Sequence, residues 1–288
     1  MRLLITADLH FNHPRSQALA RDLIAQMNRA GGDALLLVGD TASSDGDALE
    51  RCLELFKIAG PKLIVAGNHE LWTREDDSER LLRDVLPRRA RSMGWQWLQD
   101  EPFSIDDKLA IVGSVGWYDY SFAEPSLGIP KRFYEQKVSP GAAERLPQFA
   151  SLFERSDDIP PHARDIVARW NDGKFVKLNC SDEEFLDELI GELRAQLDEL
   201  RSVPRVIAAI HHLPFRALLP PSHSAQWDFA KAYLGSEKMG QLLLEYPNVK
   251  DVFCGHSHFR AEATTGQIRA VNIGSGYRAK RFEIIDLS

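Results

Sequence analysis

The sequence predicts an α/β fold with mixed sheet pairing, and two observations carry that expectation. Five short aliphatic or β-branched runs break off abruptly at polar residues. They are Leu3–Thr6 before Ala7-Asp8, Ala34–Val38 before Gly39-Asp40, Leu63–Val65 before Ala66-Gly67-Asn68-His69, Val206–Ile210 before His211-His212, and Val249–Cys254 before Gly255-His256. Short apolar runs bounded by turn residues read as buried strands. Helical stripes separate the early runs, and strand alternating with helix favours parallel pairing.

The first stripe covers residues 15–30, with Ala18, Leu19, Leu23, Ile24 and Met27 at helical spacing and Gly31-Gly32 as the stop. A second covers 46–59, with Leu49, Leu53, Phe56 and Ile58, ended by Gly60-Pro61. Over 101–119 the pattern changes: Phe103–Ile105 and Leu109–Val112 flank Asp106-Asp107 at hairpin spacing. Ile268 to Ile285 reads as successive strands broken by Gly274 and Gly276. Part of the sheet structure is therefore expected to be antiparallel or mixed. Residues 120–180 hold six of the fifteen prolines and no clear periodicity. A capping box, Ser181 to Glu184, then opens a helix with Phe185, Leu186, Leu189, Ile190, Leu193, Leu197 and Leu200 on one face. The expected organisation is one domain over 1–288 with a partly irregular, partly helical insertion at about 120–203.

With 288 residues and 44% hydrophobic content, the chain can bury a real core. A net charge of −7 does not suit non-specific binding to long nucleic acid. Cys52, Cys180 and Cys254 are few, odd in number and far apart, which argues against a thiolate zinc site and fits a reducing compartment. No stretch approaches the ~18 apolar residues that cross a bilayer, and the first apolar run is too short for a signal peptide. The expectation is a cytoplasmic protein with no membrane partner.

Taken singly, the strand-end residues say little, because Asp and Asn serve turns and histidines pack in cores. Jointly they say more. Six of the nine histidines (His10, His69, His211, His212, His256 and His258) fall at strand ends, alongside Asp8, Asp40 and Asn68. Beyond the carboxyl ends of strands is where open α/β sheets bind ligands. Imidazoles mixed with carboxylates suit zinc, manganese or iron, whereas an all-oxygen set would suit magnesium or calcium. The donors are too many for one tetrahedral zinc. Two ions sharing a carboxylate, about 3.5–4 Å apart, account for them.

The ordered set Asp8-x-His10, Gly39-Asp40, Gly67-Asn68-His69-Glu70, His211 and Gly255-His256-x-His258 resembles the calcineurin-like metallophosphoesterase superfamily. Five motifs framing residues 8–258 make the resemblance specific. It implies a four-layer αββα sandwich, two mixed sheets packed face to face with helices outside, and a dimetal site at the strand ends. It also implies that Asp8, His10 and His258 hold one ion, that Asn68 (through its amide oxygen), His211 and His256 hold the other, and that Asp40 bridges both. His211 comes first after its strand, but His212 competes with it for that role.

The expected chemistry is hydrolysis of a phosphate ester, diester or monoester, by a hydroxide held between the two ions. His69, beside a ligand but not one itself, is expected to be the acid, since His is the commonest general acid. Glu70 is expected to act in structure. His13 reads as a solvated loop residue, and His162 and His223 carry no assigned role. The arginine that follows the Gly-Asp motif in serine/threonine protein phosphatases is missing from Asp40-Thr41-Ala42-Ser43, so a small phosphate ester is the expected substrate. Two alternatives stand beside this: a nuclease on the same site, which the acidic charge disfavours, and a non-catalytic metal-binding scaffold for protein partners, which predicts eroded motifs although each is complete here. Trp117–Phe122 reads as packing, with an aromatic substrate wall as the sharper option. Trp170-Asn171-Asp172 is ambiguous. Lys131, Arg132, Lys174 and Lys177 read as a solvated face.

Overall fold

A computed structural model describes residues 1–74 and 77–287. Eleven strands follow in chain order: β1 (Arg2–Thr6), β2 (Ala34–Val38), β3 (Lys62–Val65), β4 (Gln96–Trp97), β5 (Phe103–Ser104), β6 (Leu109–Ser114), β7 (Arg205–Ile210), β8 (Val249–Cys254), β9 (Ala261–Thr265), β10 (Ile268–Asn272) and β11 (Phe282–Asp286). They form two mixed sheets, ordered β11-β1-β2-β3-β4 and β5-β6-β7-β8-β10-β9. In each, the central strands are parallel and antiparallel strands sit at the margins.

Strand side chains alternate between faces, and both faces of these strands are apolar. Leu3, Ile5, Leu36, Val38, Leu63 and Val65 from the first sheet meet Leu109, Ile111, Ile207, Ala209 and Phe253 from the second. The alternate residues Leu4, Leu35, Leu37 and Ile64, like Ala110, Val112, Val206 and Ala208, pack under helices. That is the four-layer sandwich. A Cβ on Gly113 of β6 would lie 2.6 Å from the Cβ of Leu98, so a side chain there would force the sheets apart.

Helix α1 (Pro14–Ala30) buries Ala20, Leu23, Ile24 and Met27, while Leu19 stays exposed. His13, half-buried at the end of the preceding loop, is its N-cap, accepting from the Arg15 N–H at 3.3 Å. Helix α2 (Ala48–Leu53) stops short of the expected 46–59, and Phe56 and Ile58 are buried from the coil that follows. The 101–119 region forms the expected hairpin, β5 against β6. The C-terminal run divides: β10 joins β8, whereas β11 crosses to the other sheet and pairs with β1.

Residues 115–204, between β6 and β7, contain no named strand and a series of short helical turns, closed by the helix Asp182–Glu199. Its capping box is formed, with the Glu184 N–H donating to Ser181 Oγ and the Ser181 N–H to Glu184 Oε2. Trp117, Tyr118 and Phe122 are fully buried, as packing requires. Lys131 pairs with Glu183 and Arg132 with Asp158 on the surface.

Candidate metal centre

The loops after β1, β2, β3, β7 and β8 bring the expected residues to one edge of the sandwich. Two groups of donors lie close enough to share an ion: Asp8, His10, Asp40 and His258, and Asp40, His211 and His256, with the atoms of each group within 4.8 Å of one another. Asp40 belongs to both. His10 Nε2 lies 2.9 Å from His258 Nε2 and 3.7 Å from Asp40 Oδ2. His258 Nε2 is 3.6 Å from Asp8 Oδ1, and His211 Nε2 is 3.4 Å from Asp40 Oδ1.

The donor atoms fit a cation. Asp8 Oδ2, Asn68 Oδ1 and His211 Nε2 are buried and have no hydrogen-bond partner. Such atoms are costly unless something else satisfies them. His211 Nδ1 lies 2.8 Å from the Val38 carbonyl, which fixes the tautomer and turns Nε2 toward Asp40. His212 instead sits 2.9 Å from the Val115 carbonyl, falls in neither donor group, and packs its ring against Trp117. His256 Nε2 contacts the Tyr233 carbonyl at 3.1 Å, leaving Nδ1 for the site. Asn68 donates its amide N–H to Asp172 at 2.9 Å, leaving its oxygen free.

Charge follows the same plan. Burial holds His10 and His256 well below the ordinary histidine range and brings His258 down to about 4. These rings are neutral, the form that ligates. Burial pushes the Asp8 carboxyl up to about 7. Burial also raises Asp40, but His211 and His69 outweigh it and hold Asp40 well below the usual carboxylate range. His211 is the mirror case: burial alone would lower it, and Asp40 lifts it to about 9. Asp40 and His211 thus favour each other's charged forms across 3.4 Å.

The local backbone explains why these motifs carry glycines. Asp8, His10, Asp40, His256 and His258 all have positive φ, from 44° to 67°, and only Tyr120 and Lys137 join them among described non-glycine residues. Left-handed backbone outside glycine is uncommon and clusters at functional sites. Asn68 opens a short 3₁₀ turn. A Cβ on Gly67 would collide with Asp40 and lie 2.7 Å from His211 Nε2, and one on Gly255 would lie 2.5 Å from Asp8 Oδ2. Glu70 has the structural task expected of it. Its buried carboxylate accepts the N–H groups of Gly67, Asp40 and Ala42 at 2.7–2.9 Å, tying the β2 and β3 loops together. Burial and the charge of Asp40 raise Glu70 to about 8.

His69 lines the cavity over the centre, with Nε2 3.9 Å from Asp40 Oδ2 and its ring stacked on Trp72 at 3.8 Å. That cavity, about 270 Å³, is also lined by Arg169, Trp170, Trp227 and Tyr277. Three residues of the centre carried no clear sequence signal. Lys280 donates to the Asp8 carbonyl at 2.5 Å, Tyr277 stacks on His10 at 4.4 Å, and Asp172 holds Asn68. Only Asp172 lies in a stretch that stood out, the ambiguous Trp170–Asp172.

A two-sheet sandwich gathering aspartates, an asparagine and histidines at its strand ends defines a metal-dependent phosphoesterase class. The calcineurin-like phosphoesterase family model matches residues 1–260, and the chain belongs to that family. Among solved structures it is similar to a phosphopantetheinyl hydrolase from Mycobacterium tuberculosis, with 21% identity, a TM-score of 0.66, and coverage of 96% of this chain and 89% of that one. It is also similar to a dimetal phosphatase from Danio rerio, with 16% identity, a TM-score of 0.54, and coverage of 99% and 91%. No curated protein matches it in sequence. No helix among the described residues is long and apolar enough to cross a membrane.

Proposed function

We propose that this protein hydrolyses small phosphate esters with two metal ions held by Asp8, His10, Asp40 and His258 on one side and Asp40, Asn68, His211 and His256 on the other. The observation that carries this reading is the sharing of Asp40 by two donor groups beside three buried, unpartnered donor atoms. Manganese, iron or zinc suits the mixture of imidazole and carboxylate. When bound, the ions supply Lewis acidity and lower the pKa of a water nucleophile to about 7.

The chain's own groups do the rest. Water adds to phosphorus, the ester P–O bond breaks, and the departing alcohol oxygen gains a proton. His69 stands at the cavity wall to give that proton. Its stacking on Trp72 holds the ring in place. Burial lowers its pKa, so the protonated ring is a willing acid whose population falls as pH rises. The size of the cavity favours a small ester over a polynucleotide. Trp170 backs onto Tyr233 with ring planes 9° apart and lines the cavity, which suits a planar group on the ester. Arg169, the only lysine or arginine lining the cavity among the described residues, suits an anionic one.

The test is metal analysis of the purified protein combined with hydrolysis of an aryl phosphodiester, an aryl phosphomonoester and a panel of nucleotides and lipid-derived phosphate esters. Two ions per chain and turnover of at least one ester class are expected. Two ions with no ester cleaved would favour the scaffold reading, and no bound ion would overturn the proposal.

A further inference from the structure

Asp172 lies in the irregular connection, 104 residues from Asn68, and is 1% exposed. Its carboxylate accepts four hydrogen bonds. On Oδ1 it receives Asn68 Nδ2 at 2.9 Å and the Trp72 indole N–H at 2.6 Å. On Oδ2 it receives the Trp170 indole N–H at 2.7 Å and the Tyr118 hydroxyl at 3.2 Å. Three of the four donors belong to the centre or its walls. Asn68 carries an unpartnered buried oxygen, Trp72 stacks on His69, and Trp170 lines the cavity.

An amide presents either its oxygen or its NH₂ in a given direction, and its hydrogen-bond partners decide which. A carboxylate can only accept, so it must face the Asn68 NH₂ and must turn the amide oxygen the other way. Trp72, fixed through its N–H by the same oxygen, sets the plane on which His69 stacks.

We infer that Asp172 is a positioning residue that aims the Asn68 oxygen into the second donor group and, through Trp72, sets the orientation of His69. The connection between β6 and β7 thus reaches Asn68 through the Asp172 side chain. This rests on the ion-binding reading above. The group beside Asp8, His10 and His258 makes no hydrogen bond to Asp172, so the two ions should respond differently to its loss.

The experiment is calorimetric titration of manganese into metal-stripped protein, with melting curves in parallel. Asp172→Ala is expected to weaken one of the two binding events by roughly 10- to 100-fold, the range typical of groups that orient a ligand, and to leave the other unchanged. Asp172→Asn can keep an oxygen on Asn68 and Trp72 by placing its NH₂ toward Trp170, so it should recover part of that loss. Adding Trp170→Phe, which removes the opposed N–H, should recover more. Trp72→Phe alone keeps the Asn68 contact and should bind both ions normally while lowering turnover. Asp172→Ala binding two ions as tightly as the unaltered protein would overturn the inference. So would equal weakening of both events, or an Asp172→Asn protein no better than the alanine variant at equal melting temperature. An unaltered protein that binds no second ion would instead overturn the dinuclear reading itself.

Discussion

The strand-end loops and the connection between β6 and β7 contribute to one site in opposite ways. The loops are short, sit on parallel strands of two packed sheets, and hold their side chains by strained backbone and close glycine contacts. The connection has no named strand and holds its contribution by side-chain hydrogen bonds to a single buried carboxylate. The candidate ion ligands are, Asn68 apart, held mainly by the main chain; the residues that line the cavity are held by other side chains. The first kind tolerates almost no change, and the second should fail by degrees.

The comparison breaks first if the shared carboxylate is dispensable. Asp40→Asn should abolish occupancy of both groups and lower turnover by more than the roughly 100-fold typical of outer groups. Retention of two ions at full occupancy, measured by elemental analysis, would end the claim that Asp40 is shared. The next largest effect is expected at the wall. His69→Ala should keep both ions and lose about 10²- to 10⁴-fold in kcat for esters with alkoxide leaving groups. The loss should be smaller for nitrophenolate, which departs without a proton, and equal losses on both would remove the acid role.

Ion affinity should depend on pH in a direction set by the buried protons. His211 holds a proton up to about pH 9 through Asp40, and Asp8 holds one up to about pH 7 because of burial. A cation must displace both, since ligands bind deprotonated. Affinity is therefore expected to fall as pH drops from 9 to 6, with proton release on binding, measurable by titration in buffers of different ionisation enthalpy. A pH-independent affinity over that range would contradict it. The smallest effect belongs to the cavity. Trp170→Leu should raise KM for aryl esters by about two- to tenfold, the equivalent of one aromatic contact, while leaving methyl esters unchanged.

What could be read in advance divides along the same line. The five site strands begin and end within a residue or so of where the apolar runs place them, because strands buried on both faces leave an uninterrupted hydrophobic trace. The donors were legible because each sits one to four residues past such a run. The choice between His211 and His212 was not, since it depends on which backbone carbonyl each ring meets. Strand β4 has two residues and β9 is a half-exposed edge of Ala, Glu and Thr, so neither leaves a pattern. Helix α2 ends early because Phe56 and Ile58 reach the core from coil, which periodicity cannot distinguish from a helix face. Asp172 and Lys280 depend on contacts 104 and 272 residues distant, beyond any local signal.

The left-handed backbone at five donor positions has a consequence for how this chain can change. Each such residue costs of order 1–3 kcal/mol relative to a relaxed conformation, and a whole domain is stable by only about 5–15 kcal/mol. Glycine adopts that conformation without penalty. Replacing Asp8 or Asp40 by glycine would relieve strain and remove a buried charge together, so drift toward greater robustness runs straight through the chemistry. A library selected only for heat resistance should lose these aspartates first, and the survivors would be sturdy, folded and inert.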